Sequence, residues 1–98
     1  MKKSEMLRKA KGFLWDGVSE KKGKVTCICW ALEKTVGDKH SEPLCNIIGA
    51  RLGMHPTVTA WLYHECNIPI GQLTPKVVQK HRHTWVNVLI QEFQAKGD

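Results

Sequence analysis

The last third of the sequence carries the longest helix signal in the chain, and it constrains the fold more than any other segment. Thr74 is a natural N-cap and Pro75 suits the first helical position, so we predict one helix over residues 76–96 that ends before Gly97. Helical spacing places apolar residues on one face and polar residues opposite. The apolar face comprises Val78, Trp85, Val86, Leu89, Ile90 and Phe93, and the polar face comprises Lys76, Lys80, His83, Asn87 and Gln94. No catalytic motif accompanies this pattern, so it indicates a fold and no reaction.

Four shorter amphipathic segments precede this helix. We predict them over residues 5–15, 27–36 and 43–52, and from Pro56 or Thr57 to the loop at 67–71. The expected starts are Ser4, Thr26 and Ser41, and the expected stops are Gly17, Gly37 and Gly53. The residues expected to face inward are Met6, Leu7, Ala10, Phe13, Leu14, Ile28, Ala31, Leu32, Leu44, Ile47, Ile48, Leu52, Val58, Trp61 and Leu62. Five helices without a convincing strand pair predict an all-α single domain over residues 1–98, with a mobile polar segment at 18–25 that forms a loop or a brief hairpin.

Charge is concentrated at one end of the chain. The 98 residues include 15 Lys and Arg against 9 Asp and Glu, a formal net charge of +6. Residues 1–24 contain eight bases and three acids, and therefore most of that excess. A chain of this length forms one modest core and is too small to enclose a large substrate pocket. We therefore expect a basic, non-enzymatic protein with no catalytic residues and no cofactor.

The sequence also carries signals about compartment. No apolar run reaches the roughly 18 residues that span a bilayer, and the N-terminus is charged where a secretory signal is apolar. These features predict a cytoplasmic protein that does not associate with membranes. Without an export signal, we expect the four cysteines, Cys27, Cys29, Cys45 and Cys66, to be reduced core residues rather than bridges.

Metal binding and thiol catalysis are the two chemical hypotheses that the cysteines raise. Zinc ligands usually pair two to four residues apart on a turn, whereas Cys27 and Cys29 lie about 200° apart if their segment is helical. We therefore expect no metal site. A nucleophile would need Cys29 or Cys66 beside His64 or His83, and nothing local marks these thiols as activated.

Nucleic-acid binding has support from the first predicted helix. Arg8, Lys11 and Trp15 lie at i, i+3 and i+7, which places two cations beside an aromatic surface. The alternative is a solvated basic face with Trp15 covered by the following loop. A helix-turn-helix over 41–66 is disfavoured, because residues 57–66 contain no Arg or Lys to contact DNA.

Two further side chains stand out by their position on predicted helices. Trp30 points nearly opposite to the inner face of its helix, so it either packs in a second layer or binds a partner. Arg82 lies on the apolar face of the last helix, where a guanidinium needs an acceptor. The structural interpretation pairs Arg82 with Glu65 or Asp16 and predicts that Arg82→Ala destabilises the fold. The alternative is an anion-binding Arg82 at the mouth of a small cleft.

Several short motifs support a family comparison. They are Thr59-Ala60-Trp61-Leu62, Asn67-Ile68-Pro69, the run from Val78 to Val86 with Arg82-His83-Thr84-Trp85, and Leu89-Ile90-Gln91-Glu92-Phe93. This pattern resembles small uncharacterised helical proteins encoded by tailed bacteriophages. Cys29-Trp30-Ala31-Leu32 resembles a phage- and actinobacteria-associated domain of unknown function. The resemblance covers residues 26–93, implies a phage origin and brings no catalytic residues.

These observations lead to one leading function and two alternatives. We expect a phage-encoded binding protein that contacts and inhibits a host macromolecule, such as a defence or gene-expression factor, in the bacterial cytosol. The first alternative is a nucleic-acid-binding accessory protein that uses Lys2, Lys3, Arg8, Lys11 and Trp15. The second is an anion or small-ligand binder centred on Arg82.

Overall fold

Helices account for 72% of this computed structural model, which describes residues 1–17, 23–52 and 58–98. Five α-helices lie in these ranges: α1 Lys3–Lys11, α2 Ile28–Val36, α3 Asp38–Leu52, α4 Val58–His64 and α5 Pro75–Ala95, with a 3₁₀ turn at Ile70–Gln72. The described ranges contain no strand, so the all-α prediction is confirmed. The predicted loop at 18–25 falls mainly on residues outside the described ranges. The predicted stop at Gly53 and the start at Pro56 or Thr57 also lie outside them.

The longest helix, α5, forms as its sequence predicts. The Thr74 side-chain oxygen accepts a hydrogen bond from the Val77 backbone N–H at 3.4 Å, and Pro75 occupies the first turn. This cap satisfies one of the backbone donors that a helix N-terminus leaves unpaired. The buried residues of α5 are Trp85, Val86, Leu89 and Ile90. The predicted range therefore agrees with the structure to within one residue at each end.

The helices pack as a closed set of neighbours. Helix α1 lies against α2 and α5, α2 packs on α3, α4 packs on α5, and α3 meets α4. The Cα radius of gyration is 12.9 Å, close to the value of about 13 Å expected for a compact chain of 100 residues. Apolar side chains from all five helices form one core, in which Leu7, Leu32, Leu44, Leu62 and Val86 are the largest fully buried residues.

Helix α1 is shorter than its sequence predicts. It ends at Lys11, four residues before the predicted end, and Leu14 forms an isolated parallel bridge with Val25. The Trp15 N–H donates to the Val25 carbonyl at 2.8 Å, and the Val25 N–H donates to the Phe13 carbonyl at 2.8 Å. These long-range bonds replace the helical ones. Phe13, predicted to face inward, is 42% exposed as a result.

Helix α3 begins earlier than predicted. It starts at Asp38, because the Gly37 carbonyl already accepts from the N–H groups of His40 and Ser41, and Pro43 lies inside it. Leu44 and Ile48 are buried as predicted, but Ile47 is 47% exposed. The other two predicted helix starts are also wrong. The N-cap of α2 is Cys27 and not Thr26, and Ser4 lies within α1 and does not precede it. The Leu52 side chain lies outside what the structure describes.

Asp98 closes the N-terminus of α1 from the other end of the chain. Its backbone oxygen accepts from the Ser4 N–H and the Ser4 hydroxyl, both at 3.0 Å. Its carboxylate accepts from the Lys3 N–H at 3.2 Å and from the Lys3 ammonium at 2.6 Å. Backbone donors at a helix start need such acceptors. Asp98 therefore performs the capping that the sequence assigned to the Ser4 side chain.

Asp98→Asn is expected to remove part of the acid sensitivity of the fold. Hydrogen bonds from the Lys3 side chain and then the Lys3 backbone lower the pKa of Asp98 below its ordinary value of 3.8. A lowered folded-state pKa gives stability that is present above the unfolded-state pKa and is lost as pH falls through the folded one. The stability difference between wild type and Asp98→Asn in urea should therefore shrink from about pH 5 to pH 2. A constant difference over this range would contradict the assignment, and the exposed Glu42→Gln serves as control.

Candidate functional site

Two side chains of α5 hold the segment that follows α1. The His83 Nε2–H donates to the Leu14 carbonyl at 3.0 Å, and the Gln79 Nε2–H donates to the Gly17 carbonyl at 3.0 Å. A carbonyl only accepts, so His83 carries its proton on Nε2 in this contact. The sequence placed His83 on the polar outer face of α5, which is wrong because its ring is half-buried against this segment. The two bonds fix residues 14–17 on α5.

This attachment brings Trp15 onto Arg82. The guanidinium carbon lies 5.5 Å from the centroid of the Trp15 ring, within the range of a cation–π contact. Arg82 belongs to the same turn of α5 as Gln79 and His83, so the three side chains project toward one segment. The ring contact orients the guanidinium without using any of its N–H donors.

The head group of Arg82 has unused donors. Its Nε and Nη1 atoms are buried and have no hydrogen-bond partner in the described part of the chain. Glu65 and Asp16, the acceptors that the sequence suggested, therefore do not bond these two atoms. Burial also lowers the pKa of Arg82 from its ordinary value. Buried donors without acceptors cost stability, so Nε and Nη1 remain available to an acceptor from outside the described chain.

Arg82 lines a cavity of about 190 Å³ between the start of α2, the start of α4 and α5. The lining residues are Leu14, Thr26, Cys27, Ile28, Val58, Thr59, Val78, Arg82 and Trp85. Five of them are apolar, and Arg82 is the charged one among the described residues that line the space. A mainly apolar cavity with a few convergent polar groups is the usual form of a small-ligand site.

The predicted nucleic-acid patch does not form as one surface. Arg8 is exposed, and the Lys11 ammonium donates to the Asn87 side-chain oxygen at 2.8 Å across the α1–α5 groove. Trp15 lies beyond the end of α1 against Arg82, so the i, i+7 spacing to Arg8 does not apply. The groove retains basic residues but lacks the predicted stacking ring. Nucleic-acid binding by Arg8 and Lys11 stays a prediction.

Trp30 lies on the surface of α2. Its side chain is 65% exposed, so packing in a second layer, the first of its two predicted roles, is wrong. Together with Glu33 and Lys34 it lines a shallow depression on the outer side of the helix. An exposed tryptophan is a common anchor of protein interfaces.

The four cysteines are free thiols. Cys45 is buried, Cys27 and Cys29 are half-buried, and Cys66 is exposed, so the core prediction is wrong for Cys66. Cys27 is the extended N-cap of α2, and Cys29 lies in the first turn of that helix. The predicted separation of about 200° assumed that Cys27 was helical, and it does not apply. Within the described ranges, no group of three or more His, Cys, Asp or Glu side chains is arranged to hold a metal ion.

Sequence reasoning identified Arg82 but not the residues around it. Gln79 and His83 flank Arg82 at i−3 and i+1, a polar stripe beside the apolar face that signals a contact on this side of α5. Thr26 and Thr59 carry no such signal, because only the tertiary fold brings the starts of α2 and α4 together.

Comparison of the chain with protein-family models, with curated proteins and with solved structures finds no match. In the described ranges, none of the helices combines the length and the apolar character required to cross a membrane.

Gly17→Ala is expected to destabilise the fold by about 1–3 kcal/mol and to loosen the wall of the cavity. Gly17 has φ +79°, and a Cβ there would overlap the Gln79 side chain that holds it. Gly23 has a similar φ of +75° with open space around it, so Gly23→Ala reports backbone strain alone. Thermal denaturation of both variants measures the difference. Equal losses of stability would show that the Gln79 contact contributes nothing.

Proposed function

We propose that this chain is a small, non-enzymatic binding protein whose cavity takes a compact organic oxyanion at Arg82. The observation that carries this proposal is Arg82 itself, which lines a cavity that is otherwise neutral among its described lining residues and whose buried Nε and Nη1 atoms have no hydrogen-bond partner in the described part of the chain. A bound anion supplies the acceptors that the protein does not. The sequence analysis ranked ligand binding at Arg82 below host-protein contact and nucleic-acid binding, and we now propose it as the leading function.

The chemistry of the lining favours a carboxylate over a phosphate dianion. Nε and Nη1 are separate donors, so the ligand needs at least two acceptor oxygens, which both groups offer. One guanidinium balances one negative charge, however, and a second charge in an apolar cavity would remain uncompensated. The hydroxyls of Thr26 and Thr59 offer further hydrogen bonds at the wall.

The volume of the cavity limits the size of the ligand. A closed cavity of about 150 Å³ holds a benzene molecule, so 190 Å³ accommodates a ring or short chain together with its carboxylate. The apolar walls, which include Ile28, Val58 and Trp85, would pack against the ring or short chain of the ligand. The same volume admits an acidic side chain or an aromatic acid.

A titration followed by backbone amide chemical shifts tests this proposal, with benzoate, benzyl alcohol and inorganic phosphate as probes. We expect benzoate to shift the amides of Thr26, Cys27 and Thr59 with a dissociation constant of about 1 mM. Benzyl alcohol has the same ring without the charge and should bind at least about tenfold more weakly. Tighter binding of phosphate than of benzoate would show that the site prefers a phosphate to a carboxylate. Equal binding of benzoate and benzyl alcohol would refute a role for the Arg82 charge.

Contact with a protein of a bacterial host is the second candidate, and the exposure of Trp30 favours it. This is the function that the phage resemblance implied, and the surface formed by Trp30, Glu33 and Lys34 would be its contact area. Truncating an interface tryptophan commonly costs at least about 2 kcal/mol of binding free energy. A host protein retained from nuclease-treated lysate by wild type should therefore be lost with Trp30→Ala. It should remain bound to Ile70→Ala, which changes an equally exposed apolar side chain elsewhere.

A further inference from the structure

We propose that the α1–α5 groove binds the phosphodiester backbone of duplex DNA. The groove has a volume of about 360 Å³, is open to solvent and is lined by Arg8, Lys11, Asn87, Ile90, Gln91 and Gln94. The two charged residues in this lining are both cations, and three of the others carry amides. This surface is separate from the Arg82 cavity, and its function does not depend on the proposed ligand.

Helices α1 and α5 run antiparallel along the groove. The Lys11 ammonium donates to the Asn87 side-chain oxygen at 2.8 Å, and at the other end of α1 the Ser4 N–H donates to the Asp98 backbone oxygen. Arg8 lies one turn before Lys11, about 4.5 Å along the axis, and therefore beside the last two turns of α5. The contact with Asn87 uses one of the three donors of the Lys11 ammonium, so two remain for phosphate oxygens.

The basic surface continues along α5 beyond the end of α1. At about 100° per residue, Lys76 and Lys80 lie on the same side of α5 as Asn87 and Gln91, within an arc of about 60°. Both lysines are exposed. The surface from Lys76 to Gln94 is about 27 Å long, which equals about eight base pairs of duplex. Such a length suits a charged polymer rather than a single small anion.

The acidic side chains of both helices lie outside this surface. Glu92, the acidic residue of α5, lies about 140° around the helix from Asn87. On α1, Glu5 is one turn from Arg8 but does not line the groove. The described lining therefore contains cations and no carboxylate, and its positive field attracts an anionic partner.

Duplex DNA fits this surface better than a single strand or an acidic peptide. Proteins that bind single strands stack the bases on aromatic rings, and no aromatic ring is among the described residues that line the groove. Backbone binding uses cations together with side-chain amides, such as those of Asn87, Gln91 and Gln94, which donate to phosphate oxygens. Over about 27 Å a duplex is a rigid rod, so it does not lose the chain entropy that an acidic peptide would lose on binding.

Fluorescence anisotropy of a labelled DNA duplex of about 16 base pairs, titrated with the full chain, tests the proposal. At about 50 mM salt we expect a dissociation constant between about 1 and 100 μM. The logarithm of the affinity should fall with the logarithm of the salt concentration with a slope of about −2 to −4, from two to four phosphate contacts. A single strand of the same sequence and polyglutamate should each bind more weakly than the duplex. No duplex binding at this salt concentration, or equal or tighter binding of either other probe, would overturn the proposal.

Matched double variants locate the contact. Arg8→Ala combined with Lys11→Ala should weaken duplex binding at least about tenfold at low salt and flatten the salt slope by about 2 units. Lys34→Ala combined with Lys39→Ala removes the same charge from exposed positions on α2 and α3, and should change the affinity by less than about threefold. Circular dichroism checks that both variants are folded, and both should retain benzoate binding, which separates this test from that of the proposed ligand. Equal losses of duplex affinity in the two variants would show that net charge, and not the groove, binds DNA.

Discussion

Arg82→Met is expected to weaken benzoate binding by a factor of at least about 30, while the free energy of unfolding stays unchanged or rises by up to about 1 kcal/mol. The loss of affinity follows from removing the guanidinium, with its two unpartnered donors, from the lining of the cavity. The unchanged stability follows because methionine retains the apolar stem and removes a buried head that has unsatisfied donors. Lost contact with the Trp15 ring, worth about 0.5–1 kcal/mol, offsets part of the gain.

Two controls make this result specific. Lys80 lies on the exposed side of α5, so Lys80→Ala should change stability by less than about 0.5 kcal/mol and leave benzoate binding intact. Arg82→Lys retains the positive charge without Nε and Nη1, and should bind benzoate with intermediate affinity. A fall in stability of about 2–4 kcal/mol in Arg82→Met, the size expected for a broken buried ion pair, would return Arg82 to the structural role inferred from the sequence.

Leu32→Ala is expected to lower the free energy of unfolding by about 2–5 kcal/mol. Leu32 is fully buried on α2, the helix that packs against both α1 and α3, so its truncation leaves a cavity between three helices. Ile47→Ala removes a similar amount of side chain from α3 at a half-exposed position and should cost less than about 1 kcal/mol. Chemical denaturation of both variants gives the comparison. Similar losses of unfolding free energy in Leu32→Ala and Ile47→Ala would contradict the packing described for α2.

Local signals were sufficient to predict the fold class and the position of α5. The Thr74 cap, Pro75 and the 3.6-residue apolar period are properties of neighbouring residues, and the structure follows them closely. The end of α1 was not predictable in this way. It depends on the pairing of Leu14 with Val25, a contact between segments that no local period encodes.

The candidate site was predictable only in part, for the same physical reason. The helical period placed Arg82 on the apolar face of α5, and its half-buried position bears this out. Its surroundings depend on the attachment of residues 14–17 by Gln79 and His83, and on the approach of Thr59 from α4. The angle of about 200° predicted between Cys27 and Cys29 does not apply, because Cys27 is extended at the start of α2.

The side-chain Nε–H signal of Arg82 in a ¹H–¹⁵N spectrum tests the central claim most directly, because this group is a buried donor without a partner. Arg82→Met assigns the signal by its disappearance. Addition of benzoate should move the Arg82 Nε proton downfield along a saturable curve, as expected when a carboxylate accepts from this donor, and benzyl alcohol should leave it in place. An Nε–H signal that stays fixed while benzoate shifts the amides lining the cavity would show that the ligand binds without Arg82 and would contradict the account.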